Sequence, residues 1–529
     1  MSAPETDVLV IGAGLSGAVV TKRLAEAGIT VTCLEQGRRW SAEDYRGPHE
    51  DWELAAMGPW HPSPNVRQLP EDYSIDDSAS DMKPLLFNGV GGSTILYGAF
   101  WMRMLPSDFR VRSLDGVADD WPISYEELAP YYDRVDADFG ASGIAGDPAY
   151  PARPDYPMPP LPIGSWGEKV AAAHNQLGWH WWPGSNAIAS RPYRGRRPCV
   201  QRSTCGMGCS EGAKASVDIT HWPAAEALGA KLVVGARVSR LTIGPDGRAS
   251  GAIYRLRDGS EHQIAARVLV LAASAIGTPR LLLMSADGGL ANSSGLVGKR
   301  LMMHPFTRAV GLFDEPLGST QGHWGQSLYS MEFAETNTSR GFVRGAKWNL
   351  TPSGGPLGAA LFPWPGGPLY GDVIHARVAE WLHRSTIWGI SCEDLPEEQN
   401  CVTLDPARVD SDGNPGASLK YRLSENSKRM LAFNLERAVQ SLEQAGARRV
   451  ISRPFMADYG WHPLGTCRMG DDPDTSVVDP WGRSHDIPNL YVADGSVLVT
   501  GSSVNPSNTI AALALRTAEH IVAMRGSAS

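Results

Sequence analysis

A glycine-rich turn close to the N-terminus constrains the fold of this chain more than any other feature. Residues 7–11 (DVLVI) form an apolar strand, GAGLSG follows at 12–17, and a helical run extends to Ala27. Glycines at this spacing allow a tight turn, bring a pyrophosphate close to the backbone and let helix and strand pack closely. A second strand, ITVTCLE, ends at Glu35, whose carboxylate can accept from a ribose hydroxyl and disfavours the 2′-phosphate of NADP. The sequence therefore predicts a dinucleotide site that contains Gly12, Gly14, Leu15, Ser16, Gly17 and Glu35.

A second glycine-rich loop indicates that the dinucleotide is FAD and not NAD. Residues 87–103 read FNGVGGSTILYGAFWMR. A long, extended cofactor needs small residues and backbone N–H groups beyond its adenosine end. We therefore expect FAD, contacted in this loop by Gly91, Gly92, Ser93 and Thr94.

The rest of the chain predicts one parallel sheet and one antiparallel sheet. Residues 268–284 (VLVLAASAIGTPRLLLM) read as a fully apolar strand, typical of a parallel sheet covered on both faces, and a helix that begins at Pro279. Residues 306–450 hold the strand-like segments FTRAVGLFD, EFAET and KWNLT, and a helix from Ser424 to Ala445. The predicted fold class is α/β, a Rossmann-like FAD-binding domain interleaved with a substrate domain built on a mostly antiparallel sheet plus helices. The expected ranges are 1–115, 195–305 and 455–529 for the FAD-binding domain and 116–194 and 306–454 for the substrate domain.

Composition excludes several classes of protein. A hydrophobic content of 42% and a charged content of 20% describe an ordinary globular chain, and the formal net charge of -9 argues against a nucleic-acid partner. No apolar run reaches membrane-spanning length, and no secretory signal opens the sequence. The odd number of cysteines, 7, favours reduced thiols. We therefore expect a cytoplasmic protein without a membrane span.

Three of the cysteines lie close together in the sequence. Cys199, Cys205 and Cys209 alternate with glycines in CVQRSTCGMGCSEG. Such thiols could hold an iron–sulfur cluster or a metal, or they could be a packed, reduced loop. C-x-x-C pairs are absent and no histidine lies inside the segment, so we favour the packed loop and predict no metal.

The stretch from 461 to 510 offers a base, an acid and an amide. His462 lies in a Gly/Pro-rich turn, Asp494 and Gly495 end a strand, and Asn505 and Pro506 open a helix. Together these types suit a site that binds and deprotonates a small molecule.

With these motifs assembled, the chain resembles the glucose–methanol–choline (GMC) family of FAD-dependent oxidoreductases. The matching segments are VIGAGLSG (10–17), NGVGGST (88–94), VLAASAIGTPRLLL (270–283), HPLGTCRMG (462–470) and YVADGSVLVTGSSVNPSNTIAALALRTAEHI (491–521). The resemblance implies hydride transfer from an alcohol to flavin N5, with His462 as the base and Asn505 as the group that positions the substrate. It also implies cofactor contacts at Val238, Ala273, Asp494, Gly495, Asn505 and Pro506. His304 is interpreted as a structural residue.

The resemblance leaves the substrate open. Some family members tether FAD through a histidine after the second glycine loop, where this chain has Ile95, Leu96 and Tyr97, so we expect non-covalent FAD. Similarity to bacterial sugar-oxidising members (pyranose oxidase-like, glycoside 3-oxidase/dehydrogenase-like) and the 17 tryptophans favour a secondary hydroxyl of a sugar or glycoside. An aryl or other bulky primary alcohol is the alternative, and a non-redox FAD-binding lyase is an alternative of another class. The electron acceptor is oxygen or another molecule, and the oligomeric state is not predicted.

Overall fold

The computed structural model describes residues 5–527, in which three sheets are surrounded by helices. The strands are β1 (Thr6–Ile11), β2 (Val31–Glu35), β3 (Ile75–Ser80), β4 (Trp182–Pro183), β5 (Lys231–Val234), β6 (Ala236–Ile243), β7 (Ala249–Leu256), β8 (Glu261–Leu271), β9 (Phe306–Leu312), β10 (Leu328–Ser330), β11 (Ala346–Thr351), β12 (Ser385–Cys392), β13 (Cys401–Val409), β14 (Pro415–Tyr421), β15 (Arg449–Arg453) and β16 (Leu490–Val492). The helices are α1 (Leu15–Glu26), α2 (Trp52–Ala56), α3 (Pro64–Arg67), α4 (Val111–Asp115), α5 (Tyr125–Phe139), α6 (Gly164–Leu177), α7 (Val217–Thr220), α8 (Trp222–Ala227), α9 (Ser274–Ser285), α10 (Pro356–Leu361), α11 (Asp372–Trp381), α12 (Glu425–Gln444) and α13 (Ser507–Ser527). Short 3-10 helices span Gly92–Ile95, Pro106–Phe109, Thr338–Arg340 and Gly495–Val497.

The first sheet is parallel and carries the glycine turn. Its strands lie in the order β5-β2-β1-β8-β16, and the N-terminal half of β8 continues into an antiparallel meander with β7 and β6. Leu9, Val10 and Val270 are fully buried, and α1 packs against α13 beside the sheet. The carboxyl ends of β1, β8 and β16 meet at one edge, which is where an open α/β sheet binds its ligand.

The second sheet is antiparallel, with the order β15-β9-β12-β11-β10-β4. Successive side chains of a strand point to opposite faces. Trp348 and Trp388 belong to the hydrophobic core that this sheet shares with α12, whereas Asn349 and Gly389 line a cavity on the other face. A third, small sheet has the order β13-β14-β3.

The α/β class and the mixture of a parallel and an antiparallel sheet are confirmed. The domain boundaries stay a prediction; α5 lies in a range assigned to the substrate domain and packs against α13. No helix within residues 5–527 combines the length and apolarity that a bilayer crossing requires.

Two local predictions are wrong. Residues 332–336 (EFAET) form a turn after β10, in which Ala334 N–H donates to Met331 O at 3.1 Å. Helix α9 begins at Ser274, so Pro279 lies inside it. A proline leaves the carbonyl four residues earlier without its helical donor, and here the Thr466 hydroxyl donates to Ala275 O at 2.7 Å. That substitute donor lets the helix start earlier than the proline suggests.

Candidate active site

A cavity of about 760 Å³ connects the N-terminal glycine turn with His462. It lies where the carboxyl ends of the parallel strands face the inner side of the antiparallel sheet. The predicted site residues that line it are Gly12, Gly14, Leu15, Ser16, Glu35, Gly92, Ser93, Thr94, Val238, Ala273, His462, Asp494, Gly495, Asn505 and Pro506. The structure therefore brings both glycine loops and the C-terminal stretch to one space.

Two predicted cofactor residues do not line the cavity. A Cβ on Gly17 would lie 1.9 Å from Gly12 O, so Gly17 allows α1 to approach β1. Gly91 has φ +105°, and its N–H donates to Ala13 O at 3.0 Å. Both residues shape the glycine loops, and their predicted contacts with the cofactor stay predictions.

The two glycine loops touch each other and form a cradle that side chains would fill. A Cβ on Gly12 would lie 2.5 Å from Ala272 O, and one on Gly92 would lie 2.9 Å from Gly14 Cα. Gly12 and Gly92 have φ of +104° and +52°, values that favour glycine. A narrow, backbone-lined groove of this kind fits the diphosphate and ribose chain of FAD.

Glu35 is buried at the adenosine end of the groove. Its two carboxylate oxygens accept from the N–H groups of Ala13 and Gly37, both at 2.8 Å. Burial raises the pKa of Glu35, and these donors act in the opposite direction. The backbone of Gly89 is a third hydrogen-bond partner of Glu35. A carboxylate has about four lone-pair sites, so one remains that can accept from a ribose hydroxyl.

The carboxylate of Asp494 is occupied by protein donors. Its Oδ2 accepts from Ser274 N–H at 3.0 Å and from the Thr278 hydroxyl, and its Oδ1 accepts from Ser496 N–H at 2.9 Å. The side chain therefore ties the start of α9 to the loop after β16. Asp494 also lines the cavity, and its predicted contact with the cofactor stays a prediction.

A chain of hydrogen bonds crosses the catalytic end of the cavity and begins at His304. Nε2 of His304 lies 3.0 Å from Gly501 O, and Nδ1 of His304 lies 2.9 Å from Nδ1 of His462. Nε2 of His462 lies 3.3 Å from Nδ2 of Asn505. Asn505 Oδ1 lies 2.8 Å from Nζ of Lys347. The imidazole and the amide predicted to be catalytic are therefore neighbours, with a partner behind each.

The direction of every bond in this chain follows from its carbonyl end. A carbonyl oxygen only accepts, so Nε2 of His304 carries a hydrogen. Because burial lowers the pKa of His304 to about 4, the ring is neutral at pH 7 and its Nδ1 only accepts. Nδ1 of His462 must then donate to His304, so Nε2 of His462 carries no hydrogen and acts as an acceptor.

The same logic sets the amide of Asn505. Since Nε2 of His462 accepts, Asn505 presents its NH₂ group to the ring and its Oδ1 to Lys347. Burial lowers the pKa of His462 well below its usual range, and a positive charge on His304 or Lys347 would act in the same direction. A neutral ring whose Nε2 carries no hydrogen, beside an amide donor, is suited to bind a hydroxyl group and accept its proton.

His304 and Lys347 were missed by the sequence analysis. The interpretation of His304 as structural is incomplete, because its ring is bonded to His462, 158 residues away in sequence. No local pattern could indicate that contact. For Lys347 there was a signal: Lys347, Asn349 and Thr351 are polar residues at alternate positions of β11, which marks a polar face.

The cysteine loop lies beside the cavity. Ser203, Thr204 and Met207 of this loop line the cavity wall, and burial raises the pKa of the Cys199 thiol to about 12. All seven cysteines are free. Among residues 5–527, no group of three or more His, Cys, Asp or Glu is arranged to hold a metal ion. The absence of a metal stays a prediction, which iron and sulfide determination on the purified protein can test.

Curated relatives resemble the chain over almost its whole length. The chain is 43% identical to 2-methyl-1,2-propanediol dehydrogenase of Mycolicibacterium austroafricanum, covering 98% of this chain and 96% of the relative. It is 29% identical to the fructose dehydrogenase large subunit of Gluconobacter japonicus (98% and 97% covered). It is 30% identical to paromamine 6'-oxidase of Streptomyces fradiae (97% and 91% covered).

Solved structures share the fold, and family models share the sequence pattern. Pyridoxine 4-oxidase from Mesorbium loti superposes with a TM-score of 0.65 at 18% identity, covering 98% of this chain and 99% of that one. Models described as GMC oxidoreductase match residues 6–306 and 396–514. The chain therefore belongs to the GMC oxidoreductase family, and it is an FAD-binding oxidoreductase that acts on alcohol groups.

Proposed function

We propose that the protein oxidises one hydroxyl group of a small polyhydroxylated compound, with His462 as the base and Asn505 as the residue that positions the hydroxyl. The observation that carries this proposal is the hydrogen-bonded chain from Gly501 O through His304 and His462 to Asn505, which leaves Nε2 of His462 without a hydrogen at the cavity wall. A base at pH 7 must be neutral, and the lowered pKa of His462 supports that state.

The residues bind and deprotonate the hydroxyl group between them. The hydroxyl donates its hydrogen to Nε2 of His462 and accepts from the NH₂ group of Asn505, so it replaces the 3.3 Å contact between these two groups. As its C–H bond breaks, His462 takes the hydroxyl proton, and His304 stabilises the charged ring through Nδ1. FAD, when bound, supplies the oxidant that accepts the hydride. Trp324, Phe306 and Tyr459 line the wall and limit the access of water.

Polar groups further along the cavity support a substrate with a second hydroxyl. Arg308 lies on β9 on the same face as Phe306, whose ring centroid is 5.8 Å from that of His462. The Arg308 guanidinium lies 5.4 Å from the Tyr459 ring centre, and its Nε is buried without a hydrogen-bond partner. A hydroxyl oxygen adjacent to the reacting carbon could accept from this group.

A vicinal diol is the first candidate substrate, because the relative at 43% identity is named for 2-methyl-1,2-propanediol. The second candidate is a secondary hydroxyl of a sugar or glycoside, as the sequence analysis expects, which the relatives named for fructose and paromamine support. A bulky aryl alcohol is less consistent with Arg308. A lyase is inconsistent with an intact pair of base and amide.

Anaerobic bleaching of the flavin by a panel of alcohols tests the proposal. The panel contains 1,2-diols, sugars, glycosides, benzylic alcohols and matched mono-alcohols, and positive compounds are then assayed with oxygen and with an artificial acceptor. We expect His462→Ala to abolish bleaching while FAD stays bound, and Arg308→Met to raise KM for diols about tenfold or more without changing KM for mono-alcohols. If no compound bleaches the wild-type flavin, the proposed function is wrong.

A further inference from the structure

Lys347 occupies an unusual position behind the catalytic amide. It lies on β11, its exposure is 0%, and Nζ donates to Asn505 Oδ1 at 2.8 Å. The ring centre of Phe100 lies 4.7 Å from the same nitrogen. Lys347 does not line the cavity itself, so it acts on a ligand only through Asn505.

A lysine buried in this way is expensive for the fold. Lysine is almost never fully buried unless it is paired with a carboxylate. In the part of the chain that the structure describes, Lys347 forms no ion pair within 4.0 Å, and Asn505 Oδ1 is its hydrogen-bond acceptor. Burial alone lowers its pKa well below the usual range. A methionine of similar length would fill the space without this cost, so packing does not explain the residue.

The second observation concerns the amide itself. The two ends of an asparagine side chain have almost the same shape, and a half-turn exchanges its NH₂ group with its oxygen. Packing cannot select one orientation, whereas a donor on one side can. In the flipped state, Oδ1 of Asn505 would face the lone pair on Nε2 of His462, and no donor would remain for the substrate oxygen.

We propose that Lys347 is a positioning residue that holds the Asn505 amide with its NH₂ group towards His462 and the substrate hydroxyl. This role rests on the proposed alcohol oxidation. It adds Lys347 to the residues that act in that reaction, at the far end of the hydrogen-bonded chain that starts at Gly501 O. Strand β11 thereby couples the antiparallel sheet to the turn before α13, which carries Asn505.

A double-mutant cycle measures whether Lys347 acts through Asn505. The rate of anaerobic flavin reduction is measured for the wild type, Lys347→Met, Asn505→Ala and the double variant. We expect Lys347→Met to lower the rate about tenfold to a hundredfold in the wild type and to have no further effect in Asn505→Ala. Lys347→Gln keeps an N–H donor without a charge and should restore part of the rate. Lys169→Met, which removes a partly exposed lysine that pairs with Glu315, is the control and should leave the rate unchanged.

Thermal unfolding gives a readout that does not depend on turnover. Lys347→Met removes a buried amine, so we expect its Tm to equal or exceed that of the wild type while its reduction rate falls. Asn505→Ala leaves the amine without an acceptor and should lower Tm in the wild type but not in Lys347→Met. A lysine that only supports the fold would lower Tm and rate together.

The two readouts separate the possible failures. Rate losses that are additive in the double variant, or a Tm cycle without coupling, would overturn the role of Lys347 while leaving alcohol oxidation intact. If no alcohol reduces the wild-type flavin, the proposed function fails, and the Tm cycle still decides whether Lys347 holds Asn505.

Discussion

Replacing His304 tests which ring nitrogen of His462 carries the hydrogen and which one accepts. His304→Leu removes the acceptor of the 2.9 Å contact with His462 Nδ1 and substitutes an apolar side chain at a fully buried position. The contact to Gly501 O is lost at the same time. No group that faces the substrate is changed, so a fall in rate would report on the state of the His462 ring.

The expected size follows from the hydrogen bond that selects the tautomer. In His304→Leu the Nδ1 hydrogen of His462 would be a buried donor without an acceptor, which costs about 1–3 kcal/mol and disfavours the tautomer that acts as the base. Rings that carry hydrogen on Nε2 and cannot act as the base then become populated. Since 1.4 kcal/mol is about tenfold in an equilibrium, we expect the rate of flavin reduction to fall roughly 5- to 150-fold.

Single-turnover reduction under anaerobic conditions measures this step without interference from the acceptor. The variants are His304→Leu, His304→Gln, whose amide oxygen can accept from His462, and His462→Ala as the limit without a base. His174→Leu is the matched control. His174 is also fully buried, and its ring nitrogens lie 3.0 Å from His180 O and 2.9 Å from Ser441 Oγ, away from the cavity.

The order of the flavin-reduction rates of the four variants shows whether His304 sets the tautomer of His462. We expect His174→Leu to equal the wild type, His304→Gln to lie above His304→Leu, and His462→Ala to be slowest. A wild-type rate in His304→Leu would refute the tautomer argument. A rate as low as that of His462→Ala would exceed the cost of the tautomer change and refute the magnitude worked out above.

Three further outcomes are expected. Acid precipitation should release the flavin into the supernatant, because the residues after the second glycine loop offer no histidine for a covalent bond; yellow protein in the pellet would contradict this. Gly92→Ala should lower FAD occupancy, because its Cβ would lie 2.9 Å from Gly14 Cα, whereas Gly247→Ala has a similar positive φ with open space around it and should keep FAD. The free energy of unfolding in urea should fall as the pH is lowered from 6.5 to 4, by on the order of 2 kcal/mol per buried ring at pH 5. The reason is that the unfolded chain binds protons in this range that the folded rings do not bind, since burial lowers the pKa to about 4, 3, 4 and 4 for His174, His221, His304 and His323. A flat profile would contradict these lowered pKa values.

The cofactor half of the site could be predicted from sequence because its determinants are local. The glycines of the first turn lie within six residues, and Gly12 and Gly17 are required by close backbone contacts, as their Cβ distances show. His462 and Asn505 were predicted through the family resemblance, and the structure places their side chains together. Their roles stay proposals until the variants are measured.

The partners of the catalytic pair could not be predicted because they come from the other sheet. His304 precedes β9 and Lys347 lies on β11, and each meets its partner across about 158 residues of sequence. Periodicity shows which face of a strand is polar, but it does not show which loop that face will meet. Helix propensity also gave the wrong start for α9 at Pro279, because the Thr466 hydroxyl, 187 residues further along the sequence, replaces the missing backbone donor.

The carbonyl that orients the whole hydrogen-bonded chain is itself held by charges outside the cavity. Ser502, next to Gly501, has φ 56°, a conformation that costs a non-glycine residue roughly 1–2 kcal/mol. Its hydroxyl donates to Asp108 Oδ2 at 2.6 Å, and Asp108 pairs with the buried guanidinium of Arg344, which also bonds Glu393 at 2.9 Å. Because Arg344 adjoins β11 and Ser502 precedes Asn505, the same ion cluster fixes both ends of the chain. The orientation of the base therefore depends on an ion cluster that lies outside the cavity.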